Sequence, residues 1–400
     1  MASGVNAYRG SPVLLPRPSR RASIVLAAAF AVAIAACRPV VAPAPSLPTA
    51  PTGALTAPVT VDVNPDPAIT DNRVLDMPDP FVMGVDPSYC DDGSGPPAAC
   101  FYAYSTQVLF NQTPVYRSSD LAHWEYAGSD NSDPDPWPNG AAKGNVAPWA
   151  SAIGHWAPSV LFRPEQPLLR PDLPRARYVM WYTATSLVTG SAGFKCLGVA
   201  VADSPDGPFI DDETAPAYCQ TALGGTIDPS TFVDSGGTPY LVYKSDGNSG
   251  TTVPNRLWSS QLTPDGRTII PGTEHLLLEV DHTPLNWEQP IVEAPSLVST
   301  PAGLFLFYSA SYWESTGYKV AVARCDSPQG PCRRVYGTPL VGSRGVMVGP
   351  GGQTPFVDSS GTWWMAFHSW TAPLFTYGSG GQRSLRILPM TFPGGAPKVG

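Results

Sequence analysis

Between residues 76 and 392, short apolar runs alternate with polar turns rich in Pro and Gly, and no stretch keeps the spacing of an amphipathic helix. Five segments repeat one form. Each has a Pro-containing turn, an apolar strand, a polar turn and a second, aromatic-rich strand. The first pairs Asp79-Pro80-Phe81-Val82 with Phe101-Tyr102-Ala103-Tyr104, and the second pairs Ala157-Pro158-Ser159-Val160-Leu161 with Tyr178-Val179-Met180-Trp181-Tyr182. The third and fourth pair Asp228-Pro229-Ser230-Thr231-Phe232-Val233 with Tyr240-Leu241-Val242-Tyr243, and Ala294-Pro295-Ser296-Leu297-Val298 with Leu304-Phe305-Leu306-Phe307-Tyr308. The fifth pairs Thr354-Pro355-Phe356-Val357 with Trp363-Trp364-Met365-Ala366-Phe367. Aligned on Pro80, Pro158, Pro229, Pro295 and Pro355, the units are 78, 71, 66 and 60 residues apart. Several continue into a third strand, as at Leu197-Gly198-Val199-Ala200-Val201-Ala202.

A unit of three or four short strands repeated five times predicts an all-β, five-bladed β-propeller. A β-sandwich is the alternative, but it does not require the same Pro-containing turn before the first strand of every unit. In a propeller the first strands line a central channel. Residues at their ends then meet although they are far apart in sequence.

Composition agrees. Charged residues are 14 % of the chain, against about 25 % in ordinary domains, and aromatics are 10 %, which disfavours helical bundles and supplies a core. The net charge is −8 and the body of the chain has no Lys/Arg block, which excludes a nucleic-acid surface and an electrostatic membrane surface. The N-terminus reads as an export signal. Arg17, Arg20 and Arg21 precede an apolar run over residues 24–36, too short for a comfortable membrane span. Ile34-Ala35-Ala36-Cys37 has the form of a bacterial lipobox, with an ordinary signal peptide and an incidental Cys as the alternative. The expected organisation is a lipoprotein-type signal peptide at 1–37, a Pro/Ala-rich disordered linker at 38–72 and the propeller at 73–400. The protein is thus expected to be extracytoplasmic, either a cell-surface lipoprotein or secreted, monomeric, and tied to a membrane only by lipid on Cys37.

Six cysteines remain: Cys90, Cys100, Cys196, Cys219, Cys325 and Cys332. An even number in an exported chain reads as disulfides, and six allow 15 connectivities. Nearest-neighbour pairing is expected, because each neighbouring pair brackets a Gly/Pro-rich turn. A zinc site is disfavoured by the absence of Cys-x-x-Cys spacing and by the scarcity of His.

The candidate chemistry is acidic. Asp79 and Asp228 each precede the repeated Pro, and Glu293 lies two residues before Pro295. Asp-Pro is a common turn opener and occurs six times in the chain, so one alone says little. These three share a repeat position and apolar neighbours. If the units are blades they converge, and converging carboxylates push at least one pKa up, leaving an acid beside a base. Glycosidic cleavage needs that pair: one carboxyl protonates the leaving oxygen and the other activates water.

Asp79-Pro80, Ile227-Asp228-Pro229-Ser230 and Glu293-Ala294-Pro295-Ser296-Leu297, in that order over five repeats, resemble glycoside hydrolase family 43. Tyr116-Arg117-Ser118-Ser119-Asp120-Leu121-Ala122-His123-Trp124-Glu125 and His155-Trp156-Ala157-Pro158-Ser159 resemble further stretches of that family, and the likeness spans roughly residues 76–392. It implies a five-bladed propeller and an inverting hydrolase of arabinofuranosides or xylosides in plant polysaccharide. It assigns Asp79 as general base, Glu293 as general acid and Asp228 as the carboxylate that orients the acid and keeps its pKa high. It also implies that His368 faces the central channel near a structural calcium ion held mainly by waters; no cofactor is otherwise required. Arg383, with Arg386 as competitor, lies near the sugar, and Trp156, Trp287 and Trp313 are candidates to stack on it. The segments 130–154 and 309–317 are candidate inserts that leave the groove open or block it. One departure stands out: many members carry Gly-Pro-Gly-His at the start of blade five, where this chain has Gly349-Pro350-Gly351-Gly352. The alternatives are a retaining, fructan-type glycosidase on a related propeller and a glycan-binding propeller without catalysis.

Overall fold

The structure is a computed structural model that describes residues 48, 59–60, 62–63, 76–90, 99–108, 111–127, 142–163, 177–248, 253–283 and 286–400. The expected signal peptide, Cys37 of the expected lipobox, most of the expected linker and residues 130–141 of the first candidate insert lie outside them.

Two short strands, β1 (Val59–Thr60) and β2 (Asp62–Val63), precede five small sheets arranged as a five-bladed β-propeller. Blade one holds β3 (Phe81–Gly84), β4 (Phe101–Tyr104), β5 (Val115–Ser118) and β6 (His123–Tyr126), with β2 parallel to β6 at its edge. Blade two has three strands, β7 (Trp156–Phe162), β8 (Tyr178–Thr185) and β9 (Lys195–Ala202). Blade three is β10 (Thr226–Val233), β11 (Pro239–Ser245), β12 (Arg256–Gln261) and β13 (His275–Glu279). Blade four is β14 (Val292–Thr300), β15 (Gly303–Ala310), β16 (Lys319–Cys325) and β17 (Cys332–Arg334). Blade five is β18 (Met347–Val357), β19 (Trp363–Thr371) and β20 (Ser384–Thr391), with β1 and β21 (Lys398–Val399) paired to β20.

Apart from the parallel β2–β6 pair, the strand pairs are antiparallel, as short turns between neighbours demand. The inner strands touch in a ring, β3 to β7, β10, β14, β18 and back to β3. The core is divided accordingly. Five apolar clusters each fill the gap between two adjacent blades, the last joining Met77, Val82 and Phe101 of blade one to Phe356, Ala366 and Ile387 of blade five. Second strands are covered on both faces by neighbouring blades. That is why Tyr178–Thr185 reads as a continuous apolar and aromatic run rather than as an alternation.

In blades two, three and four the repeated Pro-containing motif is not a turn ahead of the strand, as the sequence suggests, but a bulge inside it; in blade one Asp79-Pro80 stands just ahead of β3. Pairing slips between Ile227 and Ser230 in β10, between Trp156 and Ser159 in β7, and between Glu293 and Ser296 in β14. Asp79, Ala157, Asp228 and Ala294 take left-handed φ values of 50°, 44°, 54° and 48°. Proline suits the next position, since it has no N–H to give to a ladder already interrupted there. In blade five the slip falls between Gly351 and Thr354, so Gly352 (φ 61°) and Gln353 occupy the bulge. Pro355 is therefore two residues beyond the position it was aligned to.

All three nearest-neighbour disulfides are formed, Cys90–Cys100, Cys196–Cys219 and Cys325–Cys332. Among the described residues no helix is long and apolar enough to cross a membrane.

Candidate active site

Each blade puts one residue at the axis. Asp79, Ala157, Asp228, Ala294 and Gly352 line a narrow axial opening. Asp79 and Asp228 also line a larger cleft of about 680 Å³, whose wall includes Glu293, Trp156, Trp313 and Arg383. The three carboxylates read from the sequence thus share one cavity. Glu293 sits one step earlier in the repeat than the two aspartates, on the last paired residue before its bulge, opposite Ser309.

Asp79 is held from several sides. Its backbone N–H donates to His368 Nδ1 at 3.0 Å, which anchors the left-handed turn. Thr106 Oγ1 donates to Asp79 Oδ2 at 2.7 Å, and an Arg383 guanidinium nitrogen lies 3.6 Å from the same oxygen. His368 is fully buried, and burial, reinforced by the Arg383 charge, holds its pKa well below the usual histidine value. A neutral ring with Nδ1 bare is the form that can accept from Asp79. The departure at Gly352 has a local reason. A Cβ there would stand 2.6 Å from Asp79 Oδ1 and 2.7 Å from His368 Nδ1, so this packing leaves no room for a side chain.

Asp228 and Glu293 form the other half. Asp228 Oδ2 accepts the Ala294 N–H at 2.8 Å, which ties the blade-three bulge to the blade-four bulge. Burial, and then the adjacent Glu293, push the Asp228 carboxyl up to about 8, with Lys244 opposing. The Asp228 carboxyl, buried against Glu293, therefore keeps its proton near neutral pH. Glu293 is buried and its Oε2 accepts from Lys244 Nζ at 3.1 Å.

The cleft walls are aromatic. Arg383 lies 4.4 Å from the Trp313 ring centre and 5.6 Å from that of Tyr377, and its Nε donates to the Tyr377 hydroxyl at 3.0 Å. Trp313 stacks in turn on Trp370. On blade two, Lys195 Nζ lies 3.5 Å from the Trp156 ring centre. Of the competing residues, Arg386 is turned away, bonded to Ser369 and Thr371, and Trp287 packs into the apolar cluster between blades three and four. The sequence reading missed Thr106, Asp76, Tyr377, Asp246 and Lys244, all at or beside the cleft. Lys244 alone left a trace, a charged residue closing the apolar run Leu241-Val242-Tyr243.

For the expected calcium the structure offers His368 Nε2, buried and without a hydrogen-bond partner. Among the described residues no group of three or more His, Cys, Asp or Glu could hold a metal. One imidazole nitrogen does not match a cation that takes six to eight oxygens, so no step below is routed through a metal.

Residues 78–397 match glycosyl hydrolases family 43, and the chain belongs to that family. Its relatives include extracellular endo-α-(1→5)-L-arabinanase 2 of Bacillus subtilis (strain 168), 25 % identical over 248 residues, 57 % of this chain and 47 % of that protein. Another is the extracellular endo-α-(1→5)-L-arabinanase of Thermotoga petrophila, 24 % identical over 264 residues, 58 % of this chain and 47 % of the relative. The chain thus spans about half the length of these relatives. Among solved structures, a thermostable family-43 glycoside hydrolase superposes with a TM-score of 0.64 at 22 % identity, covering 84 % of this chain and 95 % of that one; the likeness is one of fold.

Proposed function

We propose that this protein hydrolyses α-L-arabinofuranosyl linkages of plant polysaccharide by single displacement with inversion. The observation that carries the reading is the gathering of Asp79, Asp228 and Glu293, from three blades, in one cleft. Asp79 is the base. Thr106 and Arg383 both address its Oδ2, which leaves Oδ1 to take a proton from the attacking water. Glu293 is the acid: it protonates the glycosidic oxygen as the bond to the anomeric carbon breaks. Asp228 keeps a proton available to that pair through its own raised pKa. Trp156, Trp313 and Arg383 are the substrate-binding residues of this proposal. The arabinose preference, over β-D-xylosyl linkages, is favoured by the two arabinanase relatives. Three disulfides suit an oxidising compartment, which favours an extracytoplasmic location.

Glu293→Gln tests the assignment. Turnover of arabino-oligosaccharides should fall by roughly 10³-fold or more while binding, measured by calorimetry, is kept. Unchanged turnover would remove Glu293 from the chemistry.

A further inference from the structure

Lys244 sits on β11 opposite Ile227, the residue before Asp228. Its side chain is fully buried, and its ammonium donates to Glu293 Oε2 at 3.1 Å and to Asn248 Oδ1 at 2.7 Å. A buried ammonium carries a large desolvation cost, and the preceding residues of its strand are apolar or aromatic. Charged groups face it from several elements. Glu293 comes from β14, Asp228 from β10 and Asp246 from the loop after β11. Lys195 of β9 acts on Asp246, Asp79 acts on Asp228, and the neutral Tyr318 hydroxyl lies near Glu293 and Asp228. Lys244 is the cation in direct hydrogen-bond contact with the proposed acid.

We propose that Lys244 is a positioning residue for the hydrolysis, holding Glu293 by Oε2 so that Oε1 presents the proton to the leaving oxygen. The inference rests on Glu293 being the acid. The proton passes from Glu293 Oε1 to the glycosidic oxygen as the C–O bond breaks, and the water proton goes to Asp79. Lys244 takes no part in the proton transfer and sits beside the carboxylate that Glu293 becomes. Its charge opposes the rise of the neighbouring Asp228 carboxyl and so lowers the pH at which that proton is lost.

Two substrates separate this from a merely structural ion pair: an arabino-oligosaccharide, whose leaving group needs a proton, and 2,4-dinitrophenyl arabinofuranoside, whose leaving group does not. In Lys244→Met, kcat/KM on the oligosaccharide should fall by about 10- to 100-fold, and on the dinitrophenyl glycoside by less than about 3-fold. The alkaline limb of kcat/KM against pH should move up by roughly one unit, because the opposing charge is gone. Lys244→Arg keeps the charge and should leave that limb in place. Should the Met variant fail to fold, as judged from its melting curve, Lys244→Gln keeps a polar side chain without the charge and carries the same test. An unmoved limb, or equal losses on the two substrates, overturns the proposal. Glu293→Gln separates the two ideas. If that variant is inactive while Lys244→Met leaves the limb unmoved, the lysine inference alone fails; if Glu293→Gln keeps its turnover, the acid assignment fails with it.

Discussion

At the scale of the residue, the site depends on a few atoms held in unusual backbone. Asp79 takes a left-handed φ of 50° and gives its N–H to a buried neutral imidazole, so the proposed base is oriented by backbone as much as by side chain. Gly352 completes that cradle. Gly352→Ala adds a Cβ 2.6 Å from Asp79 Oδ1 at a φ of 61°, and should cost about 1–2 kcal/mol in chemical denaturation. It should also lower kcat by about 100-fold through displacement of the base, read from initial rates. A variant of full activity would show that Asp79 is not so closely held. The acid pair sets a second expectation. The raised Asp228 pKa means that this carboxyl holds its proton below about pH 8 and loses it above. Cleavage needs that proton, so kcat/KM should decline as pH rises through that value, and a rate still climbing well beyond it would contradict the assignment. The three acids were legible in the sequence because each interrupts an apolar repeat. Thr106 and Tyr377 were not, because a hydroxyl beside a strand end leaves no pattern; only the fold brings them to Asp79 and Arg383.

At the scale of the element, the inner strands of blades two to five are each interrupted by a bulge. The Asp-Pro and Ala-Pro pairs were visible, but a Pro reads locally as a turn. That the slip lies within the strand follows from pairing with its neighbour, as at Ile227 opposite Lys244 and Ser230 opposite Val242, which a local motif does not encode. In blade five the same slip is made with Gly352 and Gln353, and alignment on Pro355 went astray for that reason. The disulfides are also elements of the blades. Cys196–Cys219 clips β9 to the segment leading into β10, beside Lys195 and the Trp156 wall. Replacing both cysteines by Ser should lower stability by about 3 kcal/mol, from the loop-closure entropy regained by the unfolded chain, measured by urea unfolding. A loss near zero would mean that packing alone fixes this edge.

At the scale of the molecule, the ring converts sequence distance into proximity. Five apolar clusters between successive blades hold the inner strands around one axis, and each fully buried Leu or Phe in them contributes about 1.5–3 kcal/mol. Blade number was legible from the spacing of the repeats, since each unit must bury both faces against its neighbours. The aromatic wall of Trp313, Trp370 and Tyr377 was legible only in part, because a Trp on a core strand and a Trp facing a cleft look alike in sequence. The proposed single displacement is decided by the stereochemistry at one carbon. Proton NMR of an aryl α-L-arabinofuranoside as the enzyme consumes it should show the β-anomer of free arabinose first, with the α-anomer growing in only by mutarotation. First release of the α-anomer would contradict the pairing of Asp79 with Glu293 proposed for this cleft.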